Sequence, residues 1–237
     1  LVALSAVLFE DAYIVDRLDE IIAKAQSVGS QVLIDAYHAF NVIPMSFGPN
    51  RENLFVTAGG YKYAGFGEGV CFLRVPSDCT LRPAYTGWFA DFASLAEPRD
   101  MTRRIAYANG GARFAGATFE TSALFRARAV LRHWERFGLG VDELRAISIR
   151  QTGRIISSLD DKGVNLEVVS DRDPERRAGF VTVRVPKAKA VVAEMRKRGV
   201  FVDARGDLLR LGPAPYLLDE ELDRGVACLC EAVEVVG

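Results

Sequence analysis

Val32-Leu33-Ile34 is apolar on both of the faces that a strand presents, and the run stops abruptly on Asp35. A strand without a polar face has to be covered on both sides, as an inner strand of a parallel sheet is. Leu1 to Phe9 is a second apolar stretch of the same kind. Between the two, Asp16 to Val28 places Leu18, Ile21, Ile22 and Ala25 at helical spacing, and Gly29 supplies the stop. Strand, helix and strand make a βαβ unit, so this part of the chain is predicted to be α/β. In open sheets of that type, ligands bind beyond the carboxyl ends of the strands, which is where Asp35 and His38 fall.

The remainder divides by pattern. Asn53 to Ala58 is predicted as a further strand feeding a Gly59-Gly60-Tyr61-Lys62 turn, and Gly69 to Val75 as the return strand. Pro76 to Gly111 lacks periodicity and is expected to be mostly ordered loop. Phe119 to Phe137 predicts a long helix with Leu124, Ala127, Val130, Leu131 and Trp134 on one stripe, opposite an arginine-rich face. Beyond Val141 the expected order is a helix (Asp142 to Leu159), strands at Val164 to Val169 and Phe180 to Val185, a helix at Lys187 to Arg198, short strands at Val200 to Asp203 and Leu208 to Leu211, and a closing helix from Leu218 to Val236. That is a small α+β unit with a largely antiparallel sheet. The expected domains are therefore 1–118, part of a large, mostly parallel-sheet domain; 119–140, a connecting helix; and 141–237, a small carboxyl-terminal α+β domain.

Charge and cysteine content exclude several function classes. Thirty Lys and Arg against 31 Asp and Glu leave a net charge of -1, which offers no electrostatic footprint for nucleic acid or an anionic membrane. No apolar run is long enough to suggest a membrane span. Cys71, Cys79, Cys228 and Cys230 show no CxxC spacing and no clustered histidines, so neither a metal site nor a disulfide framework is expected, and a reducing cytoplasm is the expected compartment.

Two residue types carry the chemistry. Lys62 lies between Tyr61 and Tyr63, with glycines on either side, directly after an apolar strand. Desolvation there would lower its pKa and make it a better amine for a Schiff base, whereas the ordinary reading of such a lysine is solvated surface. Asp35 could be a turn cap. Its functional reading is a carboxylate opposite a pyridine nitrogen, which keeps a pyridinium ring charged as an electron sink. Together, an aspartate for the ring nitrogen and a lysine for the aldehyde suggest a pyridoxal-phosphate site. His38 would lie over that ring or simply fill a loop.

Asp35-Ala36-Tyr37-His38, then Tyr61-Lys62-Tyr63 with its glycine-rich loop, Gly87-Trp88-Phe89 and Arg113-Phe114-Ala115-Gly116-Ala117-Thr118 follow one another in an order that resembles kynureninase. That family belongs to the class V aminotransferase group of fold-type I pyridoxal-phosphate enzymes. Leu209-Arg210-Leu211-Gly212-Pro213-Ala214-Pro215 is similar to the family's Arg-x-x-Pro-x-Pro segment. The resemblance runs over the whole chain and corresponds to the carboxyl-terminal two-thirds or less of the family's length. It implies that Lys62 holds the cofactor and moves the Cα proton, that Asp35 binds the pyridine nitrogen, and that His38 lies close to the ring. It implies that Tyr61 bonds the phosphate and assists proton transfer. Trp88 and Thr118 would reach the phosphate of a neighbouring subunit, so a homodimer with shared sites is expected. Arg210 would clamp the α-carboxylate of an amino-acid substrate through two parallel hydrogen bonds, unless it is only a surface ion pair.

In the family a substantial segment precedes the strand that begins here at Leu1, so a preceding segment or a separate amino-terminal polypeptide is expected to complete the site. Phe66 and Glu68 interrupt the glycine-rich loop, Ala90-Asp91 follow Gly-Trp-Phe, and Phe119-Glu120 stand where a proline is usual. An extra buried carboxylate among these would select against an anionic ligand. The implied reaction is hydrolytic cleavage of the Cβ–Cγ bond of a kynurenine-type amino acid to an aromatic acid and alanine. The alternatives are transamination or β-elimination on the same scaffold, or a non-catalytic subunit of a split enzyme. Desulfuration fits least, because no cysteine stands on an obvious mobile loop facing Lys62.

Overall fold

In the computed structural model, residues 1–46, 53–98, 106–163 and 165–237 are described. Val2–Ser5 (β1), Val32–Asp35 (β2) and Leu54–Gly59 (β3) run parallel and adjacent in that order, and Cys71–Arg74 (β4) closes the sheet antiparallel to β3. The doubly apolar run is fully buried on one face only: Val32 and Ile34 are buried with Leu54, Val56 and Ala58 beside them, whereas Leu33 on the opposite face is half-buried and its neighbour Ala3 on β1 is exposed. Leu18–Ser27 (α1) covers the sheet through Ile22 and Ala25 and ends at Gly29, whose φ of 74° needs the left-handed region. Register aligns Ser5 with Asp35 and Asp35 with Thr57. The carboxyl ends of three strands therefore present one polar row, and the ligand-binding end of the sheet is defined by side-chain chemistry as well as by topology.

The expected loop from Pro76 to Gly111 contains 3₁₀ turns through Trp88–Ala96, kinked at Asp91, and a further one at Gly110–Phe114. Residues 99–105 of it lie outside the described residues. Ser122–Phe137 (α2) forms, but its buried stripe is narrower than the spacing predicts. Ala127, Val130 and Trp134 pack on Ala64 and Phe66, whereas Leu124 and Leu131 are exposed. The reason is that α2 rests on the glycine-rich loop over only part of its face.

Val141–Asp161 (α3), Glu167–Val168 (β5), Val181–Arg184 (β6), Ala188–Lys197 (α4), Asp203–Arg205 (β7), Leu208–Leu211 (β8) and Asp219–Val236 (α5) build the second half. Its sheet runs β5-β6-β8-β7 and every pairing is antiparallel. Alternation places Val181, Val183, Leu209 and Leu211 in one core with Ile155, Met195, Val226 and Leu229 from the helices. The strand expected at Val200 to Asp203 starts only at Asp203, because Val200 still bonds back to the Met195 carbonyl at the end of α4. The strand expected from Val164 shortens to Glu167–Val168, and Val164 itself lies outside the described residues.

Residues 9–14 join the two sheets. The Ala178 amide donates to the Ala12 carbonyl at 2.8 Å, and the Ile14 amide to the Arg176 carbonyl at 2.9 Å. Thr182 and Ser170 donate their hydroxyls to the Glu10 and Asp11 carbonyls at 2.7 and 2.6 Å. Ala178 and Phe180, although they precede a strand of the second sheet, are buried in the first core. Thr182 is itself fully buried. Replacing it by the isosteric valine removes the bond across the join while leaving the volume nearly unchanged. Thr182→Val should lower unfolding free energy by about 1 kcal/mol in urea titrations; an unchanged midpoint would mean that the join does not depend on this bond.

Candidate active site

A cavity of about 790 Å³ opens between the two halves, within the range usual for small-molecule sites. Its walls bring together His38, Tyr61 and Lys62 from the first half with Asp203 and Arg210 from the second, and Trp134 of α2 on a further side. Among the residues singled out in the sequence, His38, Tyr61, Lys62 and Arg210 thus share one cavity. Asp35 stands behind them, exposed at the end of β2, where its charge acts on both Lys62 and His38. Trp88 and Thr118 do not line the cavity. Their segments lie side by side elsewhere, since the Phe89 amide donates to the Gly116 carbonyl at 3.1 Å, and both side chains are exposed. Trp88 stacks on Phe89 with ring centroids 4.4 Å apart.

The loop that carries Lys62 is shaped by its glycines and held from outside. The Phe66 amide donates to the Gly60 carbonyl at 2.8 Å, and Gly65, Gly67 and Gly69 all adopt positive φ. Phe66 does not disturb this loop. A Cβ on Gly60 would stand 2.4 Å from the Phe66 ring, so the ring occupies the space that the glycine leaves, and it packs onward against Trp134 and Phe40. Arg126 of α2 latches the loop by donating to the Phe66 carbonyl at 2.6 Å and to the Glu68 carbonyl. Tyr63 donates to the Leu144 carbonyl at 3.1 Å, and burial pushes its phenol up to about 12, so it anchors the loop on α3 as a neutral donor. The extra carboxylates expected near the substrate are not buried in the cavity. Glu68 and Glu120 are exposed, and Asp91 is half-buried away from the cavity with Ser94 as its partner.

Electrostatics separate the roles. Desolvation lowers the Lys62 pKa, the Arg210 guanidinium lowers it further, and Asp203 and Asp35 oppose that shift. Its ammonium lies 5.3 Å from the centre of the Tyr61 ring. His38 is pushed down to about 4 by burial first and then by the positive charges of Lys62 and Arg210, so it is neutral near pH 7. Its ring leans on Phe180 with centroids 5.4 Å apart. Asp35 accepts a hydrogen bond from the Tyr37 amide at 2.9 Å, so its carboxylate caps the turn that follows β2. Arg210 is already engaged: its Nε donates to Asp203 at 2.8 Å and its Nη2 to the other oxygen of that carboxylate. The same Nη1 that could reach a ligand also donates to the Phe9 carbonyl at 2.8 Å. Asp203, Phe180 and Arg126 were not singled out in the sequence. The cue available for Asp203 was its place on a strand facing Arg210 across a two-residue turn.

Among the described residues no cysteine lines the cavity, no cluster of His, Cys, Asp and Glu could hold a metal ion, and no helix is long and apolar enough to cross a membrane.

This fold is that of the fold-type I pyridoxal-phosphate enzymes, in the portion that follows their amino-terminal segment. It superposes on cysteine desulfurase from Thermococcus onnurineus NA1 with a TM-score of 0.77 at 18% identity, over 98% of this chain and 60% of that one. It superposes equally, with a TM-score of 0.77 at 21% identity, on the cystine C-S lyase C-DES, over 97% of this chain and 60% of that one. The kynureninase resemblance carried by the motifs is also found along the sequence. Residues 144–229 match the family model for the kynureninase C-terminal domain. The chain is 30% identical to kynureninase of Salinispora tropica over 234 residues, covering 92% of this chain and 52% of that protein. It is 30% identical to kynureninase of Koribacter versatilis over 164 residues, covering 65% and 37%. A Bacillus subtilis protein described as the uncharacterized aminotransferase YcbU is 25% identical over 220 residues, covering 92% and 55%. The chain is thus kynureninase-like, and it spans about half the length of the curated relatives it matches.

The depressed His38 pKa has a consequence for stability. The unfolded chain takes up the imidazole proton near 6.5 and the folded chain only near 4, so acid favours unfolding across that window. The stability due to a neutral His38 is present above 6.5 and is lost as pH falls through 4. His38→Gln should flatten the difference in denaturation midpoint between pH 7 and pH 4.5; an identical difference in both proteins would show that His38 titrates normally.

Proposed function

We propose that the protein is a pyridoxal-phosphate-dependent enzyme of the class V group that hydrolyses the Cβ–Cγ bond of a kynurenine-type amino acid, releasing an aromatic acid and alanine. The observation that carries the reading is the convergence of a desolvated lysine, a neutral histidine and an anchored arginine on one cavity. The donor set fits the group: an amine for its aldehyde, a carboxylate at the strand end for its ring nitrogen, and a neutral imidazole for its face. Bound pyridoxal phosphate supplies a carbonyl that captures the substrate amine and a ring that accepts the electron pair released at Cα.

In this reading Lys62 holds the cofactor, and its amine, freed on substrate binding, takes the Cα proton. A lowered pKa eases release of the neutral amine that takes this proton. Asp35 faces the pyridine nitrogen, and its charge favours the protonated ring. His38, uncharged, covers the ring without competing for the carboxylate. Tyr61 bonds the phosphate and relays a proton. Arg210 receives the substrate α-carboxylate. Trp88 and Thr118, on their separate face, serve the phosphate of a second subunit. Support for that shared homodimeric site comes from the exposed Trp88, Phe92, Phe119 and Phe125. The chain is read as residues 1–118 of a large cofactor-binding domain, a connecting helix at 119–140, and a small domain at 141–237.

Transamination or β-elimination is the second reading, and the similarity to an aminotransferase of Bacillus subtilis favours keeping it. The holoprotein incubated with L-kynurenine should yield equimolar anthranilate and alanine without any added keto acid. A requirement for a keto acid would move the assignment to transamination, and pyruvate with ammonia in place of alanine would move it to elimination. Lys62→Ala should cut the turnover rate by at least about 10³-fold with the circular dichroism of the fold unchanged. Retention of most of the turnover would end the reading.

A further inference from the structure

Asp203 lines the cavity, yet no role in the chemistry above uses it. It faces Arg210 directly across the β7–β8 ladder, so the backbone register itself sets their pairing. A guanidinium has five N–H donors. One on Nε and one on Nη2 go to the two Asp203 oxygens, and one on Nη1 goes to the Phe9 carbonyl at 2.8 Å. Two remain, one on Nη1 and one on Nη2, and these are the donors that can grip a carboxylate end-on. The Phe180 ring lies 5.6 Å from Cζ and is itself wedged against His38. The Arg210 side chain is only 12% exposed, so its head is confined by a carboxylate, a carbonyl and a ring. Arg205 also approaches Asp203, at 3.4 Å, but its side chain is 59% exposed and does not fix the geometry.

We propose that Asp203 is a positioning residue that, with the Phe9 carbonyl, presets Arg210 so that its two remaining donors form a fork for the α-carboxylate of an amino-acid ligand. The inference rests on the reading of Arg210 as the carboxylate clamp. The rotamer freedom that a loose arginine would lose on binding has already been given up in the folded chain. The Asp203 charge also offsets that of Arg210, so recognition depends on the shape of the fork more than on a net positive field. The ligand class that follows is an amino acid with a free α-carboxylate, in preference to its amide.

The test uses the cofactor-loaded protein with L-alanine and L-alaninamide as probes, their dissociation constants read calorimetrically and from the visible absorbance. Asp203→Asn should weaken L-alanine by about 10-fold, leave L-alaninamide unchanged, and have no further effect in an Arg210→Ala background. Asp203→Glu should restore part of the loss. Without any cofactor, the wild-type protein should show a slowly exchanging arginine Nε–H signal in ¹⁵N spectra that disappears in both Asp203→Asn and Arg210→Ala. Equal losses for both probes, or tighter L-alanine binding in Asp203→Asn, would overturn the proposal; the second result would make Asp203 a competitor for the clamp. If Arg210→Ala discriminates the probes and Asp203→Asn does not, positioning alone fails. If Arg210→Ala fails to discriminate them, the clamp reading falls as well.

Discussion

Residues 9–14 leave the first sheet and run against the second, giving the Ala12 and Glu10 carbonyls to Ala178 and Thr182 and taking the Arg176 carbonyl at Ile14. Their partners lie more than 150 residues apart, and where both are buried, as at Ala12 and Ala178, a missing partner would leave a desolvated carbonyl or amide. They bring the carboxyl ends of β2 and β3 up to β8. That join, together with the Tyr63 bond to the Leu144 carbonyl, holds Lys62, on a loop of the first half, in one cavity with Arg210 of the second. The Phe9 carbonyl that Arg210 holds belongs to the same segment, so the join and the anion-facing arginine are one construction.

Placing a lysine, an arginine and a histidine in one partly desolvated space has electrostatic costs, and the three respond differently. The guanidinium is matched by Asp203, whose carboxyl is held below its ordinary range by the hydrogen bonds from Arg210. The histidine gives up its charge altogether. The lysine is left with a lowered pKa, which eases the loss of its proton. Such a division supplies an anion-binding end and a nucleophilic amine in the same cavity, which is what a cofactor-dependent reaction on an amino acid requires.

The parts legible in the sequence were those whose cause is local. Val32 to Ile34 declares an inner strand, although only the Val32 and Ile34 face is fully buried, Gly29 declares a helix end, and Tyr61-Lys62-Tyr63 with its glycines a constrained loop after a strand. The α2 stripe was over-read, because spacing shows which residues share a face but not how much of that face finds a neighbour; Leu124 and Leu131 share it and stay exposed. The Phe9 carbonyl was invisible as a partner of Arg210, since it depends on a contact 201 residues away, and the only cue to Asp203 was the register across a two-residue turn. Asp91 and Glu68 carried no cue to their placement, and neither lines the cavity.

The central claim is that Lys62 is the amine that holds the cofactor. The protein reconstituted with pyridoxal phosphate, reduced with borohydride and digested, locates that amine by mass spectrometry. The account predicts a phosphopyridoxyl group on the peptide containing Lys62 and on no other lysine in stoichiometric amount. Stoichiometric labelling of a different lysine, or saturable cofactor binding that borohydride leaves unlabelled, would contradict it.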